Sequence, residues 1–495
     1  METNTIDIIK SSGEKVKFSL DKLKASLRRI GADQQTVNQI VDNVRDELYQ
    51  GISTKEIYNR AFALLKKKKS YLASKYKLKK AIYELGPTGF PFEHFISAIL
   101  KYSGYKTEVG TILQGQCVTH EIDVMAHKNN KTSVIAQTRF LRAYYNFILV
   151  KWWGDVPMLE DKRIRFGDQF TIDRVPQADV YALIEADLIF AATNLPYVQS
   201  QTGRVTKGAA EALLGRAYLY QDKFDEAADV LENLIANGPH RLLTSSEYPE
   251  MFERDNENNI ESVFEVQYSD VDGGSFGCFQ CLEGNYSVYF NGPRGFFDST
   301  GKFDAGYSFN VVTQDAVDAF EAGDLRYETS ILDINQYIAD NPGSSYDPSA
   351  GYEQTGYFNR KYIARKGDLN IGDAALTNPD NYRAIRYADV LLMAAEALNR
   401  GGISDTRAQG YLNEVRTRAM LSDITTTGAN LTNDIYKERR VELLGEGHRF
   451  FDLVRTDRAE GTIPGFSKAK GHELFPIPIE EINLSGGRWE QNPGY

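Results

Sequence analysis

The feature that most constrains the fold is a pattern of paired helices that occurs twice in the chain. Residues 206–238 and residues 386–419 each contain two apolar helical periods that are separated by a short turn. Small residues such as Ala212, Gly215 and Ala394 lie where the two helices of a pair would touch, which allows their backbones to approach closely. Pairs with this spacing predict a mainly α fold built as a short, tetratricopeptide-like helical repeat.

The two helix pairs are separated by a long segment of different composition. Residues 269–380 are rich in Gly, Tyr, Phe, Asn and Asp, and they show no sustained helical period. Such a segment is too long for a plain connection between helices. We therefore expect a loop excursion that carries the function.

The charge of the chain is divided unevenly along its length. The 495 residues carry a formal net charge of −11, but residues 1–135 sum to +8 and the remainder to −19. The positive part is suited to phosphate, whereas the acidic part should repel it. The division indicates parts of different origin or with different partners. No run of about 18 apolar residues is present, so no transmembrane helix is expected.

The N-terminal part reads as a small α+β domain. The segment "IDIIKSSGEKVKF" alternates apolar and polar residues around a Gly-containing turn, which predicts a β-hairpin. Helices are predicted in "SLDKLKASLRRIGA", "DQQTVNQIVDNVRDELYQG", "STKEIYNRAFALLKKKK" and "SYLASKYKLKKAIYEL". The third helix has Ser53 at its cap and Glu56 three residues later, which is a capping box.

These motifs, in this order over residues 5–85, resemble the ATP-cone, a small regulatory nucleotide-binding module, and suggest a domain at 1–87. The resemblance implies that ATP or dATP binds at Lys10, Gly13 and Lys22. Lysines beside a helix N-terminus suit a triphosphate. The alternative is that both lysines are ordinary solvated side chains.

Residues 88–135 have a sequence pattern that differs from those of the other parts, with strands predicted at "YKTEVGTIL" and "HEIDVMAHK". They resemble the start of the Mrr-like restriction endonuclease fold, in which Glu93 and Asp123 match metal-binding positions. That family places a Glu-x-Lys on the next strand, which would begin at "KTSVI", but Ala136 and Thr138 occupy those positions here. We therefore predict a truncated half-domain that does not hold a catalytic metal and does not cleave DNA.

The large remainder, residues 136–495, resembles the SusD/RagB family of surface nutrient-binding proteins of Bacteroidetes. The motifs that carry the resemblance follow in family order: "RFLRAYYNFILVKWWGDVPM", "GRVTKGAAEALLGRAYLY", "ESVFEVQYSD", "IRYADVLLMAAEAL", "LNEVRTRA", "KERRVELLGEGHRFFDLVR", "HELFPIPIEEI" and "QNPGY". The resemblance implies a non-enzymatic protein that binds a glycan or another nutrient at the outer-membrane surface, beside a TonB-dependent transporter.

Sugar rings bind against flat aromatic faces with polar groups around them. The excursion supplies candidates for such a site, although most could instead pack beneath the loop: Tyr286, Tyr289, Phe290, Asn291, Phe296, Phe297 and Tyr307.

One charged segment near the C-terminus has the density of an active site. Glu438, Glu442, Arg449 and Asp452 could form acid/base pairs, but their helical spacing suits salt bridges equally well. The resemblance implies a structural role for this segment. We expect no enzyme, and no metal site.

Two functional hypotheses follow. The first is a SusD-like binding protein that carries a foreign N-terminus and is the product of a chimeric gene. The alternative is an ATP-regulated, cytoplasmic, nuclease-like DNA-binding protein, which the missing Glu-x-Lys and the acidic body disfavour. The N-terminus "METNTIDIIKSSGEK" lacks a signal-peptide pattern and a lipid-accepting Cys, so the chain as written is expected in the cytoplasm, in conflict with the family location.

Overall fold

The computed structural model describes most of the chain: residues 6–10, 15–28, 32–68, 97, 105–114, 119–128, 131–158, 172–270, 284–366, 373 and 376–495. It divides into two compact units, residues 1–131 and residues 132–495. Each unit is described by itself.

The first unit begins with the predicted hairpin and continues with helices. Strands β1 (Asp7–Ile9) and β2 (Lys15–Lys17) pair antiparallel with Ile8 opposite Val16. The helices that follow are α1 (Leu20–Arg28), α2 (Gln34–Asp46) and α3 (Thr54–Lys68). Their apolar faces meet in one core with Leu27, Ile40, Val44, Ala61 and Leu65 at its centre. The Ser53 hydroxyl accepts from the Glu56 amide at 3.1 Å, as the capping box predicts. The predicted fourth helix lies outside the described residues.

A long antiparallel ribbon follows in the same unit. Strands β3 (Tyr105–Gln114) and β4 (Thr119–Lys128) pair along their whole length, with Val109 opposite Val124. Both strands were predicted from the sequence. Asp123 lies in β4, whereas Glu93 falls outside the described residues.

The prediction of a nuclease-like strand at "KTSVI" is wrong. Residues Lys131–Trp153 form a single helix, α4, which starts five residues before the predicted boundary. Side chains in the first turns bond to backbone carbonyls four residues earlier, as they do on a helix: the Thr138 hydroxyl donates to the Val134 carbonyl at 2.9 Å, and the Gln137 side-chain amide donates to the Ser133 carbonyl at 3.3 Å. Ala136 is fully buried in the main core, so tertiary packing stabilises the first turns of the helix. Helical packing of the downstream sequence therefore overrides the β-branched residues at its start.

The second unit is a stack of helices, as the paired pattern predicted. Its long elements are α5 (Gln177–Asn194), α6 (Lys207–Leu219), α7 (Phe224–Asn237), α12 (Tyr387–Arg400), α13 (Asp405–Arg418) and α14 (Gly428–Glu442). Helix α6 packs between α5 and α7, and α12 packs on α7, α13 and α14. A Cβ on Gly215 would lie 2.5 Å from the Leu231 side chain, so this glycine lets α6 and α7 approach closely.

Helix α4 joins this stack through one face. Ala136, Phe140, Ala143, Phe147 and Val150 recur at helical spacing, and all are buried in the main core. The Arg142 guanidinium also donates two hydrogen bonds, of 2.6 and 2.8 Å, to the buried Asp187 carboxylate of α5. Packing and a bidentate ion pair thus fix α4 against α5.

The excursion between the helix pairs consists of short elements, as its composition predicted. Its helices are α8 (Ser287–Asn291), α9 (Gln314–Val317), α10 (Arg326–Ser330) and α11 (Ile334–Asp340). Two-stranded ribbons pair β8 (Phe296–Phe297) with β10 (Ser345–Tyr346), and β9 (Ile331–Asp333) with β11 (Tyr357–Asn359). The excursion is anchored to the stack where β7 (Ser262–Val266) pairs with β12 (Tyr382–Arg386).

The remaining elements are short. Strands β5 (Val156–Pro157) and β6 (Arg174–Val175) pair after α4, and α15 (Arg449–Arg455) and α16 (Ile479–Leu484) lie near the C-terminus. Among the described residues, no helix is both long and apolar enough to cross a bilayer.

Candidate functional site

Four aromatic side chains of the excursion form one continuous surface, which we name the aromatic platform: Tyr286, Phe290, Tyr307 and Phe309. The rings of Tyr286 and Phe290 lie 5.4 Å apart between centroids, and those of Phe290 and Phe309 also lie 5.4 Å apart. Tyr307 and Phe309 stack at 5.7 Å with an interplanar angle of 29°. The result is a patch of adjoining aromatic faces rather than isolated surface rings.

The platform faces solvent. Phe309 is 68% exposed and Tyr286 is 48% exposed, while Phe290 and Tyr307 are partly buried between them. The Arg294 guanidinium lies beside the stack, 6.0 Å from the Tyr307 centroid and 5.9 Å from the Phe309 centroid. Aromatic faces suit the C–H surface of a sugar ring, and the guanidinium supplies hydrogen-bond donors for hydroxyl groups. Exposed aromatics grouped in this way indicate a binding surface.

Backbone hydrogen bonds hold the two segments of the platform together. The amides of Tyr307, Ser308 and Phe309 donate to the carbonyls of Tyr289, Gly292 and Phe290 at 2.7, 2.9 and 2.9 Å. The acceptors lie at the end of the five-residue helix α8, where carbonyls lack partners within the helix. The second segment therefore caps α8 and fixes where its own aromatic rings stand.

The predicted residues divide into three groups in the structure. Tyr286, Phe290 and Tyr307 are brought together in the platform. Tyr289 and Asn291 adjoin the platform: the Tyr289 ring centroid lies 6.2 Å from that of Tyr307, and Asn291 is buried. The Tyr289 hydroxyl hydrogen-bonds to Asp304, whose pKa is raised, mainly by burial. The buried Asn291 accepts a hydrogen bond of 2.8 Å from Asn310.

Phe296 and Phe297 lie apart from the platform. Phe296 is buried in a separate small core with Phe303 and Phe358. Phe297 is exposed on the other face of β8, where the Lys366 ammonium lies 5.5 Å from its ring centroid. Neighbouring side chains of a strand point to opposite faces, so Phe296 and Phe297 of β8 could not both lie on one surface.

Sequence reasoning missed Phe309 and Arg294. The signal for Phe309 was present, since Tyr307 and Phe309 alternate around Ser308 as side chains on one face do. Ser308 turns inward, where its hydroxyl accepts from the Arg294 amide at 2.7 Å and donates to Gln354 at 2.8 Å. No local pattern marked Arg294, because its proximity to the rings depends on the fold of the loop.

The charged segment near the C-terminus forms buried ion pairs, but Glu438 and Glu442 pair with arginines far away in the chain rather than at the helical spacing that the sequence suggested. Glu442 is fully buried and accepts from Arg326, Arg386 and Arg418 at 3.1, 2.9 and 2.6 Å. These three guanidinium groups hold the pKa of Glu442 well below its usual range, against the opposing effect of burial. Glu438 accepts from Arg326 at 2.5 Å in the same network. Carboxylates held ionised by several arginines are structural rather than catalytic.

A second network contains Asp452. Its carboxylate accepts from Arg455 at 2.7 Å and from Arg439 at 3.2 Å, and Arg439 also reaches Asp389 at 2.8 Å. Burial opposes ionisation of Asp452, but Arg439 and Arg455 hold its pKa well below the ordinary value. Three of the four predicted acid/base candidates are therefore locked in ion pairs. The fourth, Arg449, is not part of either network.

The N-terminal candidates are only partly described. Lys10 directly follows β1 and Lys22 lies in the first turn of α1, and both side chains are exposed. Gly13 lies outside the described residues, as does Glu93. Over the described part of the chain, no three His, Cys, Asp or Glu side chains are grouped as a metal site would require.

Comparison with known families covers most of the second unit. Residues 250–495 match the SusD family, and residues 36–219 match a SusD-like family described as starch-binding and associating with the outer membrane. The second match extends across most of the region that resembled an ATP-cone and a nuclease, and no domain of either kind was found.

Individual relatives agree. SusD-like protein P2 of Formosa agariphila is 27% identical over 393 residues, which cover 74% of this chain and 75% of the relative. A solved laminarin-binding SusD-like protein is 35% identical with a TM-score of 0.67, covering 74% of this chain and 81% of that one. Surface glycan-binding protein A from Bacteroides thetaiotaomicron, in complex with laminarihexaose, is 26% identical with a TM-score of 0.64, covering 74% and 79%.

The mainly helical stack is the fold of a class of SusD-like surface glycan-binding proteins to which these solved structures belong. The chain belongs to the SusD/RagB family. Glycan-binding proteins of this family are non-catalytic, which confirms the expectation that the chain is not an enzyme.

Proposed function

We propose that the chain is a glycan-binding protein of a nutrient-uptake system and that the aromatic platform is its binding surface. The observation that carries this proposal is the grouping of Tyr286, Phe290, Tyr307 and Phe309 into one solvent-facing patch beside Arg294. An extended oligosaccharide could lay successive rings on such a patch while its hydroxyl groups meet the guanidinium.

The ligand class that we propose is a laminarin-type glycan. Two similar solved proteins support it, since one is titled laminarin binding and the other was solved with laminarihexaose. We also propose that the protein works at the outer membrane, which the family description supports. Transfer of the ligand to a TonB-dependent transporter is a further part of the proposal, and it rests on the family resemblance of the sequence motifs alone.

Calorimetric titration of the full chain with laminarihexaose tests the proposal. Phe309→Ala should weaken binding by about fivefold or more, because it removes an exposed face worth about 1 kcal/mol. Phe297→Ala is the matched control, since Phe297 is similarly exposed at 58% but lies outside the platform. Equal effects of the two substitutions, or no binding by the wild-type chain, would contradict the proposed site.

We also propose that the first unit binds ATP or dATP at Lys10, Gly13 and Lys22. The β-hairpin followed at once by α1 supports this proposal, because the exposed Lys22 lies in the first turn of a nine-residue helix, where the dipole favours a phosphate. Fluorescent ATP should bind the full chain and lose affinity in Lys22→Glu. A Lys67→Glu control changes an exposed lysine in the last turn of α3 and should leave binding unchanged.

A further inference from the structure

A large cavity adjoins the aromatic platform in the second unit. Its volume is about 950 Å³, and its wall includes Trp152, Asn310, Arg440, Arg449, Phe450 and Phe475. Asn310 directly follows Phe309 in the chain and donates a hydrogen bond of 2.8 Å to Asn291, which adjoins the platform. One residue thus belongs both to the surroundings of the platform and to the wall of the cavity, so a single extended ligand could occupy both.

Arg449 is the unusual member of the cavity wall. The other arginines of the segment are engaged: Arg439 with Asp389 and Asp452, Arg440 with Asp315, and Arg455 with Glu396. Arg449 is partly buried, yet its guanidinium has no hydrogen bond or ion pair with any residue that the structure describes. A guanidinium withdrawn from water normally finds an acceptor, because leaving its donors unpaired is costly.

The surroundings of Arg449 favour an anion. Burial, together with the nearby Arg440 and Arg458, lowers the pKa of Arg449 to about 10, against the opposing effect of the carboxylates of Asp452 and Asp315. Both carboxylates are already committed, Asp452 to Arg439 and Arg455 and Asp315 to Arg440. Arg449 still carries its charge at neutral pH. Arg440 and Arg449 both line the cavity, and the carboxylate of Asp315, which lines it as well, is ion-paired with Arg440. An anion that enters the cavity would therefore be attracted chiefly to Arg449, beside apolar side chains where charges are weakly screened.

We propose that this cavity binds an anionic substituent, a carboxylate or a sulfate ester, of a sugar chain whose neutral rings lie on the aromatic platform. This inference rests on the proposed glycan-binding function and adds a preference for glycans of that type that carry acidic substituents. The planar guanidinium of Arg449 presents two parallel donors that match both kinds of anion. The cavity is also large enough for a substituted sugar ring.

Calorimetry on the full chain with three ligands tests the inference: laminarihexaose, laminarihexaose that carries sulfate esters, and laminarihexaose oxidised to carry glucuronate. At least one acidic form should bind about tenfold more tightly than the neutral form. Arg449→Gln should remove this advantage and leave affinity for the neutral form unchanged, while Arg449→Lys should keep part of it. Added NaCl should reduce the advantage. Arg204→Gln is the control, since Arg204 is an exposed arginine whose partners are the neutral Gln137 and Gln201.

Two results would overturn the inference: Arg449→Gln binding the acidic ligands as the wild type does, or losing affinity equally for neutral and acidic ligands. A chain that binds none of the three sugars would contradict the proposed function instead. In that case, the melting temperature measured with and without inorganic sulfate tests the anion site separately. A rise in melting temperature that Arg449→Gln abolishes would support the site, and no rise would overturn it.

Discussion

Gly306 lies so close to Gly292 that a Cβ on Gly306 would stand 2.5 Å from the Gly292 Cα. This approach brings the segment of Tyr307 and Phe309 against the end of α8, where the three backbone hydrogen bonds form. Neither glycine has a positive φ, so glycine is needed at these positions because the backbones approach too closely for a side chain. The platform depends on two residues that have no side chain to contribute.

Gly306→Ala should therefore damage the platform without touching an aromatic ring. The methyl group must displace backbone atoms, which separates the rings, and we expect laminarihexaose affinity to fall by about tenfold in calorimetry. Gly410→Ala makes the same chemical change at an open position of α13, where no atom lies within 4 Å, and should leave affinity unchanged. Wild-type affinity in Gly306→Ala would show that the rings need no such support.

Glu442→Gln should strongly destabilise the second unit. The substitution leaves Arg326, Arg386 and Arg418 buried around a neutral amide, and removing one partner of a buried ion pair costs about 3–5 kcal/mol. Urea unfolding followed by tryptophan fluorescence would measure it, because Trp152, Trp153 and Trp489 all lie in this unit. The exposed Glu480→Gln is the control. A loss below about 1 kcal/mol would show that water solvates the network.

His448 should make stability depend on pH in a defined window. Burial lowers its pKa from 6.5 to about 4 in the fold. The cations of Arg216 and Arg439 also lower this pKa, whereas the carboxylates of Asp389 and Asp452 raise it. Below about pH 6.5 the unfolded chain takes up a proton that the folded chain refuses. Stability is therefore full above that pH and falls as the pH drops toward 4, by up to about 1.4 kcal/mol per unit.

Melting temperatures measured between pH 4 and 8 would check this dependence, with His448→Gln as the variant that flattens it. The carboxylates of the networks act in a separate window, because their lowered pKa values make their contribution disappear only at more acidic pH. An unchanged slope in His448→Gln would assign the pH dependence to another group.

Truncation to alanine should have very different effects on stability at two positions of α4. Phe147 is 2% exposed and its ring lies 5.0 Å from that of Tyr220, so Phe147→Ala should cost about 3–5 kcal/mol in urea unfolding. Tyr145 lies on the opposite face and is 63% exposed, so Tyr145→Ala should change stability by about 0.5 kcal/mol or less. Similar losses at both positions would mean that the outer face of α4 is also covered in solution.

The helical body could be predicted from the sequence because its signals are local. Helical spacing, small residues such as Gly215 and the Ser53 cap each act within a few residues, and the structure contains all three, although the Glu56 carboxylate binds Tyr49 and Arg60 instead of completing the capping box. The start of α4 could not be predicted this way. Residues 131–135 contain β-branched side chains that suit a strand, and only the tertiary packing of Ala136 and its successors makes them helical.

The site was only partly predictable for a similar reason. Tyr286, Phe290 and Tyr307 were found because aromatic residues in a Gly-rich excursion suggest a sugar surface. Composition could not separate them from the buried Phe296, since exposure in a loop is decided by its tertiary fold. The ATP-cone, nucleotide binding and the chimeric origin of the chain stay predictions, although the SusD-like match over residues 36–219 shows that this family extends across most of the same region.

The charge network around Glu442 also limits how this part of the protein can change over evolutionary time. Its arginines come from segments about 24, 56 and 116 residues away along the chain, yet they share one carboxylate. A substitution of any single member leaves buried charges of the other members unpaired. Single substitutions in this network are therefore expected to be destabilising. Exposed side chains of the excursion can change without disturbing this network, whereas replacement of the network requires several simultaneous changes.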